Sequence, residues 1–334
     1  MTGPVLKAER LSVSFGAAGA RVHAVAGVDL ELRPGETLAI VGESGSGKTT
    51  LALALLGVHR PQSGRVLFRG QDIWASSREL KALRRHVQMV LQDPYSSLDP
   101  RWRVGDIVAE PLLAQGIAGR RDARVRARAL LERVGLPADA SERMPSEFSG
   151  GQRQRIAIAR ALAIEPEIVV ADEPVSALDV SIQAQIVNLL LELQREFGVG
   201  YAVISHDLAL VAQVADRVVV MYLGRVVEEG SATQITAVPR HPYTAALVSA
   251  VPEVDPGAQR ARIVLPGEPP SPLDPPAGCP FHTRCIYAQA QCRSEEPPLS
   301  AIADGQQVAC WYPLPDASAR EGAAPPSRAS VESP

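Results

Sequence analysis

The stretch Gly42-Glu43-Ser44-Gly45-Ser46-Gly47-Lys48-Thr49 is preceded by Leu38-Ala39-Ile40-Val41 and followed by Thr50-Leu51-Ala52-Leu53-Ala54-Leu55-Leu56. An apolar run, a glycine-rich octapeptide and a second apolar run read as strand, loop and helix, and the octapeptide fits G-x-x-x-x-G-K-[ST] without a mismatch. Glycines at 42, 45 and 47 let successive backbone N–H groups turn inward, which makes a concave anion site at the positive end of a helix. Lys48 is then placed to reach β- and γ-phosphates, and the Thr49 hydroxyl to coordinate Mg²⁺. A bare glycine turn would not need the strand before it or the helix after it, and Gly57 supplies the helix stop.

Four apolar runs end in a chemically useful residue. Leu38 to Val41 leads into the phosphate loop, and Val87-Gln88-Met89-Val90-Leu91 leads to Gln92. Ile168 to Ala171 leads to Asp172 and Glu173, and Tyr201 to Ser205 leads to His206. Continuous apolar runs suit strands of a parallel sheet buried on both faces, and ligands of open α/β sheets sit beyond the carboxyl ends of such strands. The four polar ends are therefore expected to converge on one crevice. There Asp172 would hold Mg²⁺ through water, Glu173 would act as general base, Gln92 would complete the metal shell, and His206 would fix the γ-phosphate and Glu173.

In their order along the chain these segments resemble the Walker A, Q-loop, signature, Walker B, D-loop and H-loop elements of the ATP-binding cassette (ABC) family. The signature is Phe148-Ser149-Gly150-Gly151-Gln152, with Phe where the family usually has Leu, and the D-loop is Ser176-Ala177-Leu178-Asp179. The resemblance covers about residues 5 to 313. It implies an α/β fold with an ABC-type P-loop NTPase core, an antiparallel β subdomain and a helical subdomain, plus a small loop-rich C-terminal extension. The ATP-binding residues it implies are Phe15 and the loop Gly42, Glu43, Ser44, Gly45, Ser46, Gly47, Lys48, Thr49 and Thr50. Phe15, in Leu11-Ser12-Val13-Ser14-Phe15, is the candidate to stack on adenine, although a Phe in a strand is also an ordinary core residue. Glu173, His206 and Lys48 form the implied catalytic set, and Thr49, Gln92 and Asp172 the Mg²⁺ set.

Gln152 to Ile164 reads as a helix stopped at Glu165-Pro166, so Ser149 and the two glycines open a helix N-terminus that attracts phosphate. In the family this end closes on nucleotide held by a partner subunit. Ser149, Gly150, Gly151, Gln152 and Asp179 are accordingly expected to act in trans.

Length, 334 residues, allows two domains, and 34 basic against 37 acidic residues give a net charge of −3, without the basic surplus of a nucleic-acid binder. Short basic clusters at Arg84-Arg85, Arg120-Arg121 and Arg153 to Arg155 read as solvated helix faces. No signal-peptide pattern opens the sequence, and no apolar run approaches the roughly 18 to 20 residues of a membrane span. Membrane attachment is expected to be borrowed, placing the chain peripherally on the cytoplasmic face of the inner membrane.

Between Gln92 and Ser149 the pattern is mainly helical, with Asp106 to Ala114 and Arg121 to Val134 as the two helices. It resembles the helical subdomain of the fold, about residues 93 to 150. The run Asp93-Pro94-Tyr95-Ser96-Ser97-Leu98-Asp99-Pro100-Arg101 has turn chemistry that fits either a groove for a membrane subunit or a rigid surface loop. With residues 5–235 as the ATPase domain, residues 236–313 form the extension and 314–334 a disordered tail. His241-Pro242-Tyr243-Thr244 in that extension resembles the C-terminal region of oligopeptide, dipeptide and nickel importer ATPases, and Pro94 to Arg101 looks most like their F-type subunit. Such a subunit implies a D-type ATPase paralogue, two membrane permeases and, indirectly, an extracytoplasmic substrate-binding protein.

All four cysteines lie in the extension: Cys279, Cys285, Cys292 and Cys310, separated by five, six and seventeen residues. A reducing compartment disfavours disulfides, and clustered thiols suggest a metal site. The spacing lacks the close pairs of structural zinc but suits irregular loops wrapped on a cluster. Resemblance to importer ATPases carrying one favours a [4Fe-4S] cluster over zinc or an empty site. The expected function is therefore that of an ATP-hydrolysing importer motor for oligopeptides or dipeptides, with a nickel or other small-solute importer as the alternative. A soluble ABC protein of the ribosome would usually carry two cassettes in one chain, and a DNA-repair ABC ATPase a long coiled coil or zinc insert.

Overall fold

The structure, a computed structural model, describes residues 3–16, 21–251, 262–302 and 305–315. Two long strands, β1 (Leu6–Phe15) and β2 (Val22–Leu32), pair antiparallel, and burial alternates along both, as expected when only one sheet face is covered. Then come β3 (Thr37–Val41), α1 (Lys48–Leu55), β4 (Ser63–Phe68), β5 (Gln71–Asp72), α2 (Ser77–His86) and β6 (Val87–Val90). Strands β2, β1, β4 and β5, in that order, make a small antiparallel sheet. The helical region follows: α3 (Pro94–Ser97), α4 (Val104–Ala114), α5 (Arg120–Arg133) and α6 (Gly150–Leu162).

The chain returns to the sheet through β7 (Ile168–Asp172), α7 (Val180–Phe197), β8 (Gly200–Ser205), α8 (Leu208–Val214), β9 (Arg217–Tyr222) and β10 (Arg225–Ser231). It closes with α9 (Ala232–Ala237), α10 (Pro242–Ser249), α11 (Ala290–Ser294), β11 (Ser300–Ala301) and β12 (Gln307–Val308). The larger sheet has eight strands in the order β11-β12-β10-β9-β3-β8-β7-β6. Its β6, β7, β8, β3 and β9 are parallel neighbours.

Every residue of β3, β7 and β8 is buried, because helices cover both faces. Period-two geometry divides each strand between different cores. Leu38 and Ile40 join the cluster under the antiparallel sheet and α1, while Ala39 and Val41 join the one under β9, β10 and the C-terminal residues. Ile168 and Val170 face the antiparallel-sheet side, and Val169 and Ala171 face the helical region.

Register sets the site. Val41 lies opposite Ser205, Asp172 opposite Ile204 and Val90 opposite Ala171, so the four strands end nearly level. The phosphate loop, Gln92, Glu173 and His206 therefore emerge on one edge of the sheet.

The residues after β10 are tied to the core rather than appended to it. β12 pairs with β10 through Glu228 and Glu229, and Leu314 N–H donates to the Arg240 carbonyl at 2.8 Å. The Glu228 carboxylate, fully buried, accepts from the backbone N–H groups of Arg240 (2.6 Å) and His241 (2.9 Å) and from Gln306 Nε2 (2.7 Å). Tyr222, Tyr243 and Phe281 pack ring to ring with centroids 4.8 to 5.4 Å apart, which fits the preferred range of aromatic pairs. The tail expected to be disordered lies, from residue 316, outside the described residues.

Candidate active site

The phosphate loop leaves β3 and enters α1 through Gly47, whose φ of 101° is left-handed. A Cβ there would stand 2.1 Å from the Ala24 carbonyl oxygen, so both conformation and space require glycine. Lys48, only 6% exposed, turns its ammonium back into the loop. Nζ donates to the carbonyls of Gly42 (2.7 Å) and Glu43 (2.8 Å) and to Ser46 Oγ (3.3 Å). Burial pulls the Lys48 pKa down, and the carboxylates of Glu173, Asp172 and Glu43 pull it back up. A buried ammonium held only by neutral oxygens, at a helix start with no side-chain cap, has the chemistry of a phosphate cradle.

Asp172 ends β7 at 5% exposure. Burial raises its pKa, while a hydrogen bond from the Thr49 hydroxyl and the charge of Lys48 lower it. A hydroxyl and a carboxylate in contact are hard oxygen donors that suit Mg²⁺. Glu173, the next residue, has φ of 45°, an uncommon left-handed backbone for a non-glycine residue. Its N–H donates to the Ile204 carbonyl at 3.0 Å, and the bend turns the side chain off the strand. Gln92 Nε2 donates to Glu173 Oε2 at 2.9 Å, and His206 Nδ1 lies 3.1 Å from Oε1. Since a carboxylate only accepts, His206 Nδ1 is the donor in this contact. Of the four strand ends expected to converge, those carrying Gln92, Glu173 and His206 meet around one carboxylate.

The signature forms the N-terminus of α6. Ser149 Oγ accepts from Gln152 N–H at 3.4 Å, and Gln152 Oε1 accepts from Ser149 N–H at 3.0 Å, a reciprocal cap. A Cβ on Gly151 would stand 2.5 Å from Ile182 Cγ2, and one on Gly150 would stand 3.4 Å from Leu178 Cδ2. The signature thus packs on the D-loop end of α7, whose N-cap is Asp179. Phe148 is buried in the helical core with Arg143 over its ring at 4.6 Å, which accounts for its fit in place of Leu. Helix α6 belongs to that core and α1 to the separate cluster under the antiparallel sheet. Arg153 and Arg155 depart from the solvated-face expectation. Arg153 donates to Pro145 O and lies over the Tyr95 ring, and Arg155 donates to Val134 O.

Phe15 ends β1, 42% exposed, with the His59 imidazole edge-on at 5.1 Å. It is therefore not a core residue but a partly exposed ring at the end of the strand.

The iron–sulfur expectation is corrected. Among the described residues no group of three or more His, Cys, Asp or Glu side chains is arranged to hold a metal ion. All four cysteines are free thiols, with Cys279 and Cys292 buried in the core that holds Tyr222, Tyr243 and Phe281. Burial pushes the thiols of Cys285 up to about 11 and Cys310 up to about 12, and that of Cys279 upward. The staple this loop-rich segment needs is instead β12, the Glu228 carboxylate and the aromatic cluster.

Two residues to which no sequence motif assigns a role reach the loop. Tyr243 Oη accepts from Glu43 N–H at 2.8 Å, and Arg284 grips the Glu43 carboxylate with both Nη atoms, at 2.7 and 3.2 Å. Arg284 lies 241 residues from Glu43 and among cysteines that draw attention away from it, so no local signal identifies it.

Comparison with known proteins agrees with this geometry. The family model described as ABC transporter matches residues 25–176, and the model for the oligopeptide/dipeptide transporter C-terminal region matches residues 227–292. The chain is 48% identical to the dipeptide transport ATP-binding protein DppF of Haemophilus influenzae over 87% of its own length and 90% of the relative's. It is 51% identical to the di/tripeptide transport ATP-binding protein DppF of Pseudomonas aeruginosa, over 88% and 91%. Among solved structures, a subunit of an ABC transporter complex from Clostridium perfringens superposes with TM-score 0.64 at 31% identity, over 71% of this chain and 92% of that one. A dimeric ATP-binding cassette bound to ADP and phosphate in its post-hydrolysis state does so with TM-score 0.61 at 30% identity, over 68% and 98%.

Proposed function

The chain belongs to the ABC transporter family, in which it is an ATP-hydrolysing cassette, and from that premise we propose that it drives a peptide importer. The observation that carries the catalytic part is one carboxylate, Glu173, gripped by Gln92 and His206 beside Lys48 and Asp172. Lys48 and the loop N–H groups bind the β- and γ-phosphates, and Phe15 stacks on adenine. Thr49, Asp172 and Gln92 would hold Mg²⁺, which when bound would supply positive charge to offset that of the phosphates. Glu173 takes the proton of the attacking water as the water oxygen bonds to the γ-phosphorus and the bond from that phosphorus to the β–γ bridging oxygen breaks, releasing ADP and phosphate, and His206 holds Glu173 in line while contacting the γ-phosphate. Ser149, Gly150, Gly151, Gln152 and Asp179 act on nucleotide in the partner subunit. Their positive helix end is attractive to phosphate, and it caps α6 rather than α1, the helix that the Lys48 loop enters.

On the same reading, residues 5–235 form the ATPase domain with its helical subdomain at about 93–150, residues 236–313 the extension and 314–334 a tail. The partners are a second, D-type ATPase subunit, two membrane permeases and, indirectly, an extracytoplasmic binding protein. The chain sits peripherally on the cytoplasmic face of the inner membrane, and among the described residues no helix is long and apolar enough to cross it. Peptides are favoured as cargo by the named activities of relatives similar over nearly the whole chain. The test is uptake of a radiolabelled dipeptide by cells lacking this chain. Uptake should be lost, and should return with the wild-type chain but not with Glu173→Gln. Undiminished dipeptide uptake in the deletion strain would overturn the peptide assignment.

A further inference from the structure

All three polar groups of Glu43 are occupied, and they point in two directions. Its carbonyl accepts from Lys48 Nζ at 2.8 Å, inside the phosphate loop. Its N–H donates to Tyr243 Oη at 2.8 Å, and its carboxylate receives Arg284 in a two-pronged ion pair at 2.7 and 3.2 Å. Tyr243 is fully buried and Arg284 is 7% exposed, so neither contact belongs to a loose surface pair. Tyr243 is the second residue of α10, and its own N–H donates to His241 Nδ1 at 3.0 Å. His241 in turn donates its backbone N–H to Glu228 of β10 at 2.9 Å. Arg284 follows Phe281, which packs on Tyr222 at the end of β9 and on Tyr243. Both anchors are therefore rigidly based on the core sheet next to β3, the strand that launches the loop.

We propose that Arg284 and Tyr243 are positioning residues for ATP, acting through Glu43 to fix the phosphate loop and to cancel a negative charge beside it. The proposal rests on the reading of residues 42–49 as the ATP phosphate loop. A two-pronged guanidinium fixes both the distance and the plane of a carboxylate, which an ammonium cannot do. Tyr243 directs the Glu43 N–H away from the loop interior, which leaves the Glu43 carbonyl facing the Lys48 ammonium. Without Arg284 the Glu43 carboxylate would stand unpaired next to the site of a polyanion and repel it. The extension thereby acts on nucleotide affinity without touching nucleotide.

The experiment is equilibrium titration of the purified full-length chain with fluorescent mant-ATP and Mg²⁺, together with steady-state ATP turnover. Arg284→Met should raise Kd and KM about tenfold, about 1.4 kcal/mol, with a smaller effect on kcat. Arg284→Lys, which keeps the charge but not the fork, and Tyr243→Phe should each raise Kd about threefold. The decisive variant is Arg284→Met combined with Glu43→Gln. Removing the stranded charge should recover most of the lost affinity, which a merely structural role for Arg284 would not produce. Wild-type Kd in both Arg284 variants, or a double variant as weak as Arg284→Met alone, overturns the proposal. Lys48→Ala separates the two levels: if it still binds mant-ATP normally, the phosphate-loop reading itself fails.

Discussion

Replacing Glu173 by Gln removes a base while preserving size, and the structure indicates what else changes. Glu173 accepts at both oxygens, from Gln92 Nε2 at 2.9 Å and from His206 Nδ1 at 3.1 Å. A glutamine there has one acceptor oxygen and one NH₂, so one neighbour keeps its hydrogen bond and the other faces a donor. The left-handed backbone at residue 173, held by Ile204, is unaffected by the side-chain change. Loss of a positioned base costs about 10² to 10⁴ in rate, or about 3 to 5 kcal/mol of barrier. The Lys48 cradle is untouched, so ATP affinity should stay within about threefold of wild type. The assay pairs phosphate release under saturating ATP with size-exclusion chromatography in ATP and Mg²⁺, with the partner ATPase present. Turnover should fall at least a hundredfold while ATP-bound closed dimer accumulates. Turnover within about threefold of wild type would refute the general-base argument, because among the described residues Glu173 is the carboxylate that Gln92 and His206 both contact.

Ser149→Arg should abolish turnover of the assembled complex while each chain still binds mant-ATP, and turnover left intact would contradict action in trans. Gly151→Ala places a methyl 2.5 Å from Ile182 Cγ2, so thermal unfolding should show a loss of about 1 to 3 kcal/mol, relieved by Ile182→Ala. An unchanged melting temperature would show that α6 and α7 are not in close contact. His241 is fully buried, and burial lowers its pKa from 6.5 to about 3. The unfolded chain therefore binds a proton that the folded chain refuses, and stability should fall as pH drops from about 6.5 towards 3, by up to about 1.4 kcal/mol per pH unit. His241→Asn, which keeps a side-chain acceptor for the Tyr243 N–H, should flatten that slope in urea unfolding series, and an unchanged slope would assign the acid sensitivity elsewhere.

By itself the sequence determined the strand-loop-helix of residues 38–56, the four strand ends and the signature helix. These are local features: a glycine-rich turn between apolar runs and a helix cap declare themselves within a dozen residues. The level endings of β3, β6, β7 and β8 could be anticipated because buried parallel strands carry continuous apolar runs, but that Gln92 and His206 grip opposite oxygens of Glu173 required the coordinates. The cysteines show the opposite case. Their composition pointed to a metal, yet among the described residues no set of three or more ligating side chains is arranged to hold one. Arg284 and Tyr243 on Glu43 could be found only in three dimensions. Ion pairs and hydrogen bonds across two hundred residues depend on how separate elements pack, and side-chain type alone does not say which partner burial will bring within 3 Å.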